Sequence, residues 1–131
     1  MRPADLKYSK THEWVRIEKD IATTGLTDFA VHALSDLVYV DMPQVTDLLE
    51  QGQPYAEVES VKAVSDVYAP LSGEIVEINE ELGDHLDILA KDPFGAGWIV
   101  KFRISHPNEV EALMTADAYE KHCKDEAAKQ H

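Results

Sequence analysis

One lysine in this sequence sits where a primary amine can be reached and acylated. Lys62 lies within Val58-Glu59-Ser60-Val61-Lys62-Ala63-Val64-Ser65-Asp66. Val58, Val61, Val64 and Val67 are β-branched and favour extended backbone on both sides of it. Glu57, Glu59 and Asp66 surround the amine with negative charge. Such a run folds as a hairpin with the lysine at its tip, open to a modifying enzyme. A structural lysine needs no such setting, so the segment points to a carrier loaded after translation. By itself, a lone lysine is more often a solvated surface residue.

Other reactive side chains form no comparable pattern. The six histidines (His12, His32, His85, His106, His122 and His131) are scattered without metal-ligand spacing, so no metal is expected. His12-Glu13 continues as Trp-Val-Arg, not toward the second histidine of a metalloprotease helix. Ser60 and Ser65 have no histidine base nearby in sequence, so no catalytic serine is expected. Cys123 is the only cysteine, which rules out an intramolecular disulfide and fits a reducing compartment. It reads as a bystander thiol.

The elements that must position Lys62 are mostly short strands. Glu13 to Ile17 alternates, with Trp14 and Arg16 on one face and Val15 and Ile17 on the other. Asp28 to Leu34 reads as a short helix with Thr27 as its N-cap. Leu37 to Met42 is a strand stopped by Pro43. Tyr55 to Val61 rises toward Lys62 and Val64 to Ala69 descends from it. Gly52 and Gly73, ten residues before and eleven after Lys62, suit tight turns. Glu74 to Asn79 alternates cleanly, and Ile99 to Ile104 is a last strand. From Pro107 the apolar spacing becomes helical, with a break at Thr115-Ala116-Asp117 and Tyr119 packing back.

The chain has 131 residues, the length of one domain spanning 1–131, with a polar tail at 124–131 expected to fray. Its net charge of −13 argues against nucleic-acid binding, since phosphate contacts need a basic surface. No run approaches the ~18 apolar residues of a membrane span, so no membrane association is expected. Met1 to Lys7 lacks the apolar core of a signal peptide. A bacterial cytoplasmic location is expected, and a mature organellar form is equally compatible.

Glu59-Ser60-Val61-Lys62-Ala63, with Ser65 to Pro70 and Ser72-Gly73-Glu74, resembles the lipoyl-attachment segment of the glycine cleavage system H-protein family. Tyr8 to Val15 resembles that family's opening strand, Leu34 to Pro43 its second block, and Asp92 to Trp98 its late Pro-aromatic-Gly…Gly-Trp turn. The blocks cover roughly residues 6 to 120 in the family's order. The resemblance implies a mostly β fold, a lipoyl/biotinyl-type barrel-sandwich hybrid of two antiparallel sheets. A short helix in the N-terminal half and a C-terminal helix complete it. It also implies lipoic acid in amide linkage to Lys62. Glu59, Ser60, Val61, Ala63 and Asp66 would then be read by the lipoate-attaching enzyme. Biotin is disfavoured because biotinyl domains flank the lysine with methionines, whereas Val61 and Ala63 stand here.

A carrier of this family is not itself an enzyme, and no catalytic residue is expected. It would shuttle an aminomethyl group from glycine decarboxylase to aminomethyltransferase, and electrons to dihydrolipoyl dehydrogenase. It would act as a monomer, and in this family the loaded arm can retreat into a cleft. Ser35 and Thr46 stand where the family usually carries glycine, and Leu86 to Ala90 replaces its Pro-x-Leu-Val-Asn. None of these departures touches Lys62, but they open an alternative partner set, that of an H-like carrier for another pathway (lipoyl relay or heterodisulfide-reductase-like sulfur oxidation). An unlipoylated interaction module on the same fold is a third reading.

Overall fold

The computed structural model describes residues 3–34 and 36–129, with side chains described through residue 127. Ser35, one of the departures above, therefore lies outside the described residues, as do Gln130 and His131.

Among the described residues, nine strands form two antiparallel sheets. They are β1 (Lys7–Tyr8), β2 (Glu13–Glu18), β3 (Ile21–Leu26), β4 (Leu37–Asp41), β5 (Leu48–Leu49), β6 (Pro54–Ser60), β7 (Val64–Tyr68), β8 (Gly73–Ile78) and β9 (Val100–Ile104). The larger sheet has the order β1-β2-β3-β9-β8-β5 and the smaller β4-β6-β7. Neither closes into a barrel, and the mostly β, two-sheet architecture is the expected one.

The helices are short, apart from the last. They are α1 (Asp28–Leu34), α2 (Glu81–Asp84), α3 (Ile88–Lys91) and α4 (Ala116–Lys129), with a 3₁₀ turn at Pro107–Ala112 before α4. Thr27 caps α1 as anticipated, accepting the Ala30 N–H on Oγ1 at 3.3 Å. Where helical spacing was expected at Leu113 and Met114, the chain is extended instead. Met114 bridges to Tyr8 through two backbone hydrogen bonds of 2.9 and 2.7 Å, which hold it beside β1.

Alternation decides what each sheet buries. Val15, Val58, Val67, Ile75 and Phe102 fill the core between the sheets, while Val76, one residue from Ile75, is exposed. β2 is covered on both faces. Val15 enters the main core, whereas Trp14 joins Tyr8, Tyr119 and Cys123 in a second cluster on the α4 side. Cys123 thus lies buried, although the sequence around it is polar. The 124–131 tail is helical as far as Lys129, and Glu126 within it bonds two histidines.

Two turn positions bear on the hairpin's frame. Gly52 has φ +85°, which its lack of a side chain permits. Gly73 is needed for space instead, since a Cβ there would lie 2.2 Å from the Arg103 carbonyl oxygen on β9. Thr46 also adopts the left-handed region, at φ 80°, where a β-branched residue is strained. Its N–H donates to the Ile75 carbonyl at 2.8 Å, a bond that glycine would keep. Thr46→Gly is expected to stabilise the protein by about 1 kcal/mol, strain relief outweighing the extra freedom of the unfolded chain. A urea midpoint at or below that of the wild type would show that the turn relaxes the strain in another way.

Candidate functional site

The lysine stands at the tip of the β6–β7 hairpin. Register pairs Val58 with Ser65, Glu59 with Val64 and Glu57 with Asp66. Ala56, Val58 and Ser60 consequently face inward and are buried, while Glu57 and Asp66 are exposed and Glu59 is half-buried. Only Val61, Lys62 and Ala63 cross the tip, and all three are exposed. Val61 and Val64 hold their apolar side chains 71% and 57% exposed beside the amine, an arrangement stability alone does not favour.

Ser60 makes the tip rigid. Its Oγ accepts the N–H groups of Lys62 at 3.3 Å and Ala63 at 3.1 Å, and donates to the Ala63 carbonyl at 3.2 Å. The Ser60 N–H bonds the same carbonyl at 2.8 Å, and the Val61 N–H donates to the Asp36 carbonyl at 2.9 Å. Backbone and serine together close the turn. Among the described residues, the Lys62 amine makes no hydrogen bond or ion pair.

Acidic residues form a row beside this tip. Asp41 pairs with Glu57 across β4–β6, and Glu57 with Asp66 across β6–β7. Like charges directly opposite one another weaken a sheet. The row gives the hairpin a negative flank that its own stability does not call for.

A cleft of about 200 Å³ lies beside the hairpin, its lining including Thr11, His12, Phe29, Ala33, Ser65 and Asp66. Thr11 connects it to a buried carboxylate, Glu13, which is 1% exposed. Glu13 Oε1 accepts from Ser9 Oγ at 2.6 Å and from Thr11 Oγ1, and Oε2 accepts the Tyr68 N–H at 3.2 Å. Burial pushes this carboxyl up to about 7, against the opposing pull of those hydrogen bonds. Burial, and secondarily the Glu13 charge, also holds the Tyr55 phenol well above its ordinary value. The Tyr55 hydroxyl is enclosed and has no hydrogen-bond partner among the described residues.

Sequence reading missed a third cluster. His12, at φ 74°, has Nδ1 2.7 Å from Tyr119 Oη and Nε2 2.7 Å from Glu126 Oε2. His122 Nε2 lies 3.0 Å from Glu126 Oε1 and 2.9 Å from the Lys10 carbonyl oxygen. His12 and Glu126 are 114 positions apart, which no local pattern reveals. The His122-x-x-x-Glu126 spacing on one helix face was the legible half of the signal. Among the described residues no other such group of three metal-ligating side chains gathers, so His32, His85 and His106 stay apart from it.

Comparison with known proteins gives one consistent answer. The Glycine cleavage H-protein family matches residues 6–126. A glycine cleavage system H protein from Thermotoga maritima is 50% identical over 120 residues, covering 92% of this chain and 97% of the relative. One from Staphylococcus epidermidis is 47% identical over 117 residues, covering 89% and 93%. A crystal structure of a glycine cleavage system H protein from Mycobacterium marinum superposes with a TM-score of 0.80 at 38% identity, covering 90% of this chain and 95% of that one.

Proposed function

This chain belongs to the glycine cleavage H-protein family, and from that premise we propose that Lys62 carries its lipoyl group in amide linkage. The protein is a carrier and not a catalyst. The observation that carries the assignment is an exposed amine on a clamped tip, with no partner among the described residues. Acylation removes the positive charge of Lys62, and among the described residues no other group would be left unpaired by that loss.

When bound, lipoate supplies a disulfide able to take up an aminomethyl group and two electrons, chemistry that belongs to the cofactor. This chain supplies the platform. Val61, Ala63, Glu59 and Asp66 offer the lipoate-attaching enzyme a short apolar and acidic surface around the lysine. Ser60 is buried, so its part in that recognition is to fix the tip's shape. The cleft beside the hairpin is the seat we assign to a cationic cargo, because Asp66 stands in its wall. Glycine decarboxylase, aminomethyltransferase and dihydrolipoyl dehydrogenase are the partners this reading implies, each meeting a monomeric carrier. Residues 1–131 form one folding unit in the same reading, in the bacterial cytoplasm. Among the described residues no helix is long and apolar enough to cross a membrane. Lipoyl relay and sulfur oxidation are not favoured, since relatives matching most of the chain are glycine cleavage H proteins.

Intact-mass measurement of the chain from its native cells, with peptide mapping across Lys62, tests the proposal. A lipoyl-sized increment confined to Lys62 is expected. An unmodified Lys62 in lipoate-replete cells would overturn it.

A further inference from the structure

We propose that His12, His122 and Glu126 form a binding site for a divalent transition-metal ion of the zinc class, separate from the lipoyl lysine. Their ligand atoms all lie within 4.8 Å of one another. His122 and Glu126 project from adjacent turns of α4, at the i, i+4 spacing that places two ligands on one helix face. The third ligand arrives from the β1–β2 loop, held there by the left-handed backbone of His12. All three are only partly buried, which leaves an ion a way in from solvent.

The surrounding hydrogen bonds can orient the His12 ring for a cation at the centre. Tyr119 Oη lies 2.7 Å from His12 Nδ1 and 2.6 Å from Thr27 Oγ1. A His12 Nδ1–H donating to Tyr119, which in turn donates to Thr27, directs the Nε2 lone pair toward Glu126. That outer hydrogen bond is the usual device for fixing a ligating histidine's tautomer and orientation. Three acceptors, the two Glu126 oxygens and the Lys10 carbonyl, then converge on two imidazole Nε2 atoms. A proton on each Nε2, as a neutral imidazole carries it, satisfies these contacts, and a metal would take the place of those protons.

Donor type selects the ion. Two imidazoles and one carboxylate suit zinc and its first-row neighbours, and they suit magnesium or calcium poorly. Three protein ligands leave a coordination position open. His12 and Glu126 also line the cleft that contains Asp66, so a bound ion would offset part of that wall's negative charge and weaken its hold on a cationic cargo. It would also tie α4 to the β1–β2 loop, joining positions 114 residues apart.

The test uses tag-free full-length protein and Zn²⁺ alone in equilibrium dialysis and calorimetry, with His122→Ala and Glu126→Gln as variants, singly and paired. One ion per chain is expected, with each variant weakening it by about 10-fold or more. Zn²⁺ should raise the Tm of the wild type and leave that of the paired variant unmoved. Co²⁺ should give the visible absorption of a four-coordinate site in the wild type only. Both side chains are partly exposed where α4 meets the β1–β2 loop, and circular dichroism checks that the variants fold. Equal binding by wild type and paired variant would assign the ions to scattered surface carboxylates and overturn the site. So would a failure of the wild type to bind micromolar Zn²⁺, leaving the cluster as a proton-bridged network.

Discussion

Lys62→Arg is expected to leave a folded protein that accepts no lipoyl group and supports no glycine cleavage above background. Arginine keeps the charge and approximate length of lysine. Its guanidinium remains protonated throughout the accessible pH range and offers no amine nucleophile for acylation. The side chain is exposed and makes no contact that folding depends on, so stability should stay within about 0.5 kcal/mol of the wild type. The effect therefore separates completely, with full stability and no activity. The measurement is glycine decarboxylation reconstituted with the partner enzymes, alongside a mass measurement and a melting curve. Retained activity in an unmodified Lys62→Arg protein would sink the carrier assignment at this residue. Lost activity with an equally lost fold would leave that assignment untested, and the exposed position of Lys62 makes this outcome hard to reconcile with the structure.

The second large effect concerns Glu13. In the folded protein its carboxyl is pushed up to about 7 from an ordinary 4.5. Between those values the native state holds a proton that the unfolded chain has released. Stability then falls as pH rises through that window. The contribution is fully present below about 4.5 and gone above about 7, with a size on the order of 3 kcal/mol. Glu13→Gln keeps the shape and an acceptor oxygen but does not titrate. The variant should match the wild type near pH 4.5 and exceed it in stability near pH 8, by up to ~3 kcal/mol less any loss in hydrogen-bond strength. Denaturant unfolding of both proteins across that range checks this. Parallel pH profiles would show that Glu13 does not titrate in the window.

The buried carboxylate ties β2 to the descending arm of the hairpin. Glu13 is held by Ser9, Thr11 and the Tyr68 amide, and Thr11 opens onto the cleft beside the hairpin. A neighbouring cationic cargo would lower the carboxyl again and recover part of the penalty.

How much of this was legible depends on the range of the interactions. The lysine hairpin, the Thr27 cap, the stop at Pro43 and the alternation of Ile75 and Val76 all follow from neighbours a few residues apart. The sequence carries those directly. Helices α2 and α3 span four residues each, too short for a 3.6-residue period to declare itself. Glu13 read as an ordinary strand residue because its burial comes from distant chain, although the Ser9-x-Thr11-x-Glu13 spacing held two of its partners. The histidines looked scattered for the same reason, since only the packing of α4 against the β1–β2 loop brings His12 to His122. Gly73 shows the converse: a turn glycine was expected, but the close approach of β9 is what excludes a side chain.

The Ser60 clamp has a consequence for recognition rates. A lysine on a loose loop would make each partner order several backbone residues on every visit, at about 1–2 kcal/mol apiece. Here the tip's torsions are already fixed by Ser60 and Ala63, so disorder is confined to the freely rotating bonds of the side chain and its cargo. Successive enzymes thus meet the same backbone surface, and ordering at the tip adds to the general cost of association only the entropy of the arm.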